Sequence, residues 1–147
     1  MVLLLDRSFP ASTEVLSEVR SCARDACLRA RGDNKSGDKS GDECCDECCE
    51  QMVLAINEAC MNIIQHGYGF ADGKHFTLRL GVDDGVLVAL LLDNGLPTSD
   101  ADLRPRELDE LRPGGLGVHF MRELMDGVAY VQAPDGFANC LQLSKRI

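Results

Sequence analysis

The chain has 147 residues, of which 45% are hydrophobic and 27% charged, a composition that fits one globular domain and leaves no room for a second independent core. At this length roughly 70% of the unfolded chain's surface can be buried, so a substantial core is available. The 24 acidic and 15 basic residues give a net charge of −9, which argues against a generic nucleic-acid binder and against attachment to anionic lipid.

Val2 to Asp6 reads as a short strand, and Phe9-Pro10-Ala11 as a break ahead of an N-cap at Ser12. A helix follows, because Val15, Val19, Cys22 and Ala26 recur at helical spacing, with Leu16, Ala23 and Cys27 widening the stripe. Glu14, Glu18, Arg20 and Arg24 fall on its outer side, and Arg31-Gly32 should end it. Residues 33 to 50 hold seven acidic residues and two lysines, a net −5, so more than half of the chain's charge sits in one segment. Its first part, about 32–44, is nearly devoid of apolar residues and reads as a flexible acidic insertion. A second helix is expected from about Asp42 to His66, on the spacing of Cys45, Cys49, Met52, Ile56, Ala59 and Ile63, with Gly67 at C′.

Alternation over Phe76 to Val82 predicts a strand, and Asp84-Gly85 predicts a tight hairpin into Val86 to Leu92. The unbroken apolar run of that second strand predicts a central position, with helices over one face and a second subunit as the candidate cover for the other. Asn94 to Pro113 is polar and long, in the manner of a lid. A short helix over Gly117 to Met125 and strands over Val128 to Gln132 and Cys140 to Ser144 complete the chain, the last two joined by a turn at Pro134-Asp135-Gly136. No apolar run approaches 18 residues, and Met1 to Asp6 lacks the basic start of a signal peptide, so the expectation is a cytoplasmic chain without a membrane segment.

Three places carry chemistry. Glu58, Asn62 and His66 are spaced i, i+4, i+8, so each lies about 40° further round one side of the second helix. A glutamate supplies a general base beside an amide oxygen suited to a hydrated Mg²⁺, although a solvated polar face has the same spacing. Asp93-Asn94-Gly95-Leu96-Pro97 ends the most hydrophobic strand and places a carboxylate where it can accept from an exocyclic amine; an ordinary strand-ending turn is the alternative. Gly114-Gly115-Leu116-Gly117 leads into a helix whose N–H groups can cradle phosphate, though it matches neither a Walker A loop nor a dinucleotide fingerprint.

Taken in order, Asn57-Glu58-Ala59-Cys60-Met61-Asn62-Ile63-Ile64-Gln65-His66-Gly67-Tyr68, Asp93-Asn94-Gly95-Leu96-Pro97 and Gly114-Gly115-Leu116-Gly117-Val118 with Asp126 downstream resemble the N, G1 and G2 boxes of GHKL-type, Bergerat-fold ATPases. The match is closest to the small bacterial anti-sigma factor serine-protein kinases. It covers nearly the whole chain as a single histidine-kinase-like ATPase domain. The resemblance implies an α/β (α+β) two-layer sandwich, with a mixed, mainly antiparallel sheet backed by helices. It implies ATP and Mg²⁺ as cofactors, Asn62 as the Mg²⁺ ligand and Glu58 as the base that activates an attacking hydroxyl. Asp93 would take the adenine amine, Gly95 would give the backbone room beside the base, and Gly115, Leu116 and Gly117 would contact the nucleotide. His66 matches a common family residue, for which a helix C-terminal capping role is the economical reading. The implied partners are proteins, namely a sigma factor or similar regulator and an antagonist phosphorylated on Ser or Thr, with no direct nucleic acid and with a homodimer as family precedent. A catalytically silent, nucleotide-binding regulatory module that sequesters a partner is the alternative. A detached sensor histidine-kinase domain fits less well, because the chain has no dimerisation helix with a phosphoacceptor His.

The chain departs from the family pattern at Pro113, where an Arg is common, with Arg112 one residue earlier. It departs again at Phe137-Ala138-Asn139-Cys140, where a Gly-Thr pair is common, so that polar contact is lost or replaced by Asn139. Cys44-Cys45-Asp46-Glu47-Cys48-Cys49 invites a soft-metal reading, but neighbouring side chains on a helix diverge by about 100°. Packing of Cys45 and Cys49, with Cys44 and Cys48 more exposed, is the better expectation.

Overall fold

The computed structural model describes residues 1–32, 42–96 and 115–147; side chains at 31, 32, 42–46 and 115–119 lie outside that description. The expected insertion and lid therefore fall largely or wholly outside the described residues. Strand β1 spans Val2–Pro10, longer than its apolar start predicts, because Phe9 turns into the core and stacks on Phe76 at 5.8 Å between ring centroids. Ser12 acts as predicted: its Oγ accepts from the Glu14 N–H at 3.3 Å and heads a 3-10 turn, Thr13–Val15, that runs into helix α1, Leu16–Gly32.

Helix α2 covers Asp42–Asn62 and carries the widest apolar surface, since Cys49, Met52, Val53, Ala55, Ile56, Ala59 and Cys60 are all buried. It is the middle helix, packed on α1, on the sheet and on α3, which spans Gly115–Leu124. Of the residues expected to face outward on α1, Glu18, Arg20 and Arg24 also tie elements together while staying exposed or half-exposed. Glu18 pairs with Arg7 of β1, Arg24 with Glu50 at 2.8 Å, and Arg20 Nη1 donates to Asn57 Oδ1 at 2.9 Å.

The remaining strands are β2 (His75–Asp83), β3 (Val86–Asp93), β4 (Gly127–Val131) and β5 (Asn139–Arg146), in the order β1-β2-β3-β5-β4. All four pairings are antiparallel, so the mixed component allowed by the family pattern is absent among the described residues. Positive φ at Asp84 (49°) and Gly85 (76°) makes the predicted hairpin turn. Gly136 (φ 95°) and a Phe137 N–H to Pro134 O bond of 3.2 Å make the last turn.

β3 is central, as its composition predicts. Leu87, Ala89 and Leu91 face the helices and are buried, opposite Leu80 and Leu78 on β2 and Leu143 and Leu141 on β5. Val88 and Leu90 point to the other side and are half-buried. The result is a two-layer α/β sandwich with one core. Cys22, Cys27, Cys48, Cys49, Cys60 and Cys140 are in no disulfide, Cys48 half-buried and Cys49 buried. No cluster of His, Cys, Asp and Glu among the described residues could hold a metal; Cys44 and Cys45 have side chains outside them. No helix among the described residues is long and apolar enough to cross a membrane.

Candidate functional site

The buried polar side chains converge at one end of the sheet. Asp93 closes β3 and is 6% exposed, and Asn139 opens β5 directly opposite it and is 5% exposed. A carboxylate in that position needs donors, because burial disfavours its charge. It has two: Asp93 Oδ1 accepts from the Gly95 N–H at 2.8 Å and from Asn139 Nδ2 at 3.0 Å. Burial still pushes the Asp93 carboxyl above the ordinary range, while these two bonds pull it back down.

The chain leaves Asp93 in contact with the end of α2. After Asn62 the helix widens into a π turn over Ile63–Gly67, closed by a bond of 2.9 Å from the Tyr68 N–H to Ile63 O. Gly67 does not take the left-handed C′ conformation expected of it; that conformation falls two residues later, at Gly69 (φ 56°) and Phe70 (φ 61°). The steric demand for glycine lies instead at the residue it meets, Gly95. A Cβ on Gly95 would lie 2.6 Å from Gly67 O, so these two backbones meet where only glycine fits at position 95. The Leu96 N–H then donates to Gly67 O at 3.1 Å.

Tyr68 completes the frame. Its hydroxyl donates to His75 O at 2.7 Å and accepts from the Asn94 N–H at 2.8 Å. Asn94 in turn accepts from the Ala138 N–H at 2.8 Å and donates to Gly136 O at 3.2 Å. Burial raises the Tyr68 hydroxyl above its usual range, so it stays protonated at neutral pH.

Along α2, Glu58 and Asn62 are half-buried, and neither side chain has a hydrogen bond to a described residue. Asn57, first in the same motif, is already occupied by Arg20. His66 is exposed, because the π turn shifts the helical phase between it and Asn62. Glu58 and Asn62 thus share a half-buried setting that His66 does not. Gly115, Leu116 and Gly117 form the first turn of α3, which packs against α2, and the first N–H groups of a helix have no partner within it. Pro97, Arg112 and Pro113 lie outside the described residues.

Sequence reasoning left Tyr68 and Gly67 without these roles and named Asn139 only as a replacement for a missing contact. The signal for Asn139 is the β3–β5 register, which no local pattern contains.

This arrangement is an acceptor held at a sheet end, beside a helix with an unengaged acid and amide and a second helix start. It suits a nucleotide. A family model described as the histidine kinase-like ATPase domain matches residues 9–145. The chain is 34% identical over 92 residues to the Serine-protein kinase RsbW of Bacillus velezensis, covering 56% of each protein. It is 36% identical over 93 residues to that of Bacillus pumilus (56% of this chain, 57% of the relative). Against that of Bacillus subtilis it is 33% identical over 84 residues (51% and 52%). The chain spans a little over half the length of these curated relatives. With the family match running from β1 to β5 and the site lying inside it, the chain belongs to the histidine kinase-like ATPase domain family.

Proposed function

We propose that this protein is an ATP- and Mg²⁺-dependent serine/threonine protein kinase of the partner-switching type. It binds a sigma factor or comparable regulator and phosphorylates an antagonist protein on Ser or Thr. The observation that carries the reading is Asp93: a buried carboxylate with both protein donors on Oδ1, leaving Oδ2 as the acceptor for an adenine amine. The likeness to proteins named serine-protein kinases supports the choice of reaction.

The half-buried Asn62 amide and Glu58 carboxylate fit a magnesium nucleotide, since both are hard oxygen donors without a described protein partner. Asn62 is the residue that would hold Mg²⁺, which supplies charge neutralisation at the phosphates. Glu58, one helical turn earlier on the same side, takes the proton from the attacking hydroxyl. The first turn of α3, Gly115 to Gly117, offers backbone N–H groups to phosphate oxygens. Gly95 keeps the chain after Asp93 pressed against Gly67, and so keeps backbone out of the space for the base. A cytoplasmic location and a homodimer belong to the same reading.

Substitution Glu58→Ala should leave ATP binding intact by calorimetry while abolishing transfer of radiolabelled phosphate to a partner captured by the wild-type protein. Unchanged phosphorylation by this variant refutes the assignment. A partner captured with ATP but never modified would instead make the protein a sequestering module.

A further inference from the structure

Asp93 sits between two cross-strand neighbours, Phe76 on β2 and Asn139 on β5, and only Asn139 can hydrogen-bond to it. Its Nδ2 carries two hydrogens and both are engaged. One goes to Asp93 Oδ1 at 3.0 Å, and the other to Leu96 O at 2.9 Å, with Gly95 O further off at 3.5 Å. Leu96 is thereby held through both its backbone groups, because its N–H donates to Gly67 O at 3.1 Å. One amide thus joins the carboxylate to the backbone that follows it, across a strand 43 residues away in sequence.

We infer that Asn139 is a positioning residue for base selection: its side-chain amide holds the Asp93 carboxylate in one orientation against the Gly95-Leu96 backbone, leaving Oδ2 as the single acceptor presented to the base. The inference rests on the proposal that this pocket takes an adenine nucleotide. Its physical content is twofold. Two donors converging on Oδ1 lock the carboxylate rotamer, and they favour the ionised form against the burial that opposes it. An ionised acceptor takes an exocyclic amine, as in adenine, and repels the oxygen that guanine carries at the same place. Were Asp93 protonated, it could donate to that oxygen and the discrimination would weaken. The other titratable groups facing Asp93 are Tyr68, at the end of the π turn, and Cys140, beside Asn139. Burial raises both, so neither competes for charge at neutral pH.

The experiment compares the full chain with Asn139→Ala and Asn139→Ser. Two readouts are taken: the pH titration of the Asp93 carboxyl carbon by NMR without nucleotide, and calorimetric binding of ADP and GDP between pH 5 and 9. Asn139→Ala should move the Asp93 midpoint upward, weaken ADP binding roughly tenfold to a hundredfold, and narrow the ADP-to-GDP ratio. Asn139→Ser keeps a donor in the buried position without the second bond to Leu96, and should fall between the two. It also keeps the test decisive should the alanine variant fail to fold. An unchanged midpoint and an unchanged ADP-to-GDP ratio in either variant overturns the inference, even where thermal stability falls, because a merely structural residue would lower stability alone. Absence of ADP binding by the wild type at every pH overturns the nucleotide reading and this inference with it. ADP binding by the wild type with indifferent variants overturns the inference alone.

Discussion

Single residues at the sheet end work under opposed demands. Gly95 and Gly67 touch, yet they are not equivalent: a Cβ at 95 would meet backbone at 2.6 Å, whereas one at 67 would lie 3.8 Å from Asp93 Oδ1, an ordinary contact. Gly95→Ala should therefore cost about 1–3 kcal/mol and Gly67→Ala clearly less, which urea denaturation of the two variants would resolve. Asp93 is held above its ordinary carboxyl range by burial. Its native form thus binds a proton more tightly than its unfolded form, and its contribution to stability falls as pH rises from the unfolded value through the native one. Asp93→Asn retains an oxygen for the Gly95 and Asn139 donors without a buried charge. That variant should melt at or above the wild-type temperature at pH 7, with the difference shrinking as pH falls, and should lose response to adenine nucleotide. A lower melting temperature at pH 7 that stays constant with pH would contradict this account. Asp93 itself was legible in the sequence, because an acid ending an apolar run is a local pattern. Its partner on β5 was not.

Elements are joined at this site by a small number of bonds. The π turn Ile63–Gly67 ends α2 without a glycine C′ cap, and the chain leaves it through Tyr68, whose hydroxyl bridges His75 O before β2 and the Asn94 N–H after β3. Tyr68→Phe removes both bonds with little change in shape. Because the site is partly exposed, the loss should be about 1 kcal/mol, seen as a lower urea midpoint at an unchanged m value. A fall in m as well would show that the variant disturbs more than this junction. Periodicity located α2 well, since its apolar spacing is a property of one helix. It missed the π turn because the widened turn preserves composition and alters only phase, which separates the exposed His66 from the half-buried Glu58 and Asn62.

At the scale of the whole molecule the sheet has two unlike faces. One is covered by the three helices. The other carries half-buried Val88 and Leu90 on the central strand, and exposed Val131 at 39% on the far edge. Arg79 lies on this open side, its Nε buried and 3.4 Å from Asp6 Oδ1. This face is where the proposed homodimer would form. Val88→Glu should then give a monomer by sedimentation velocity at concentrations where the wild type is a dimer; a variant with the wild-type mass would locate the interface elsewhere. The apolar run of β3 and the alternation of β2 made the central sheet readable, and the ordered N, G1 and G2 boxes named the residues of the candidate site. Both are encoded within a few consecutive residues. Tertiary structure alone decided that Arg20 engages Asn57, that Asn139 holds Asp93 and that Gly67 receives Gly95. The first two pairs are separated by 37 and 46 residues, and which side chains meet across such intervals depends on register, phase and close approach between elements that local periodicity does not specify.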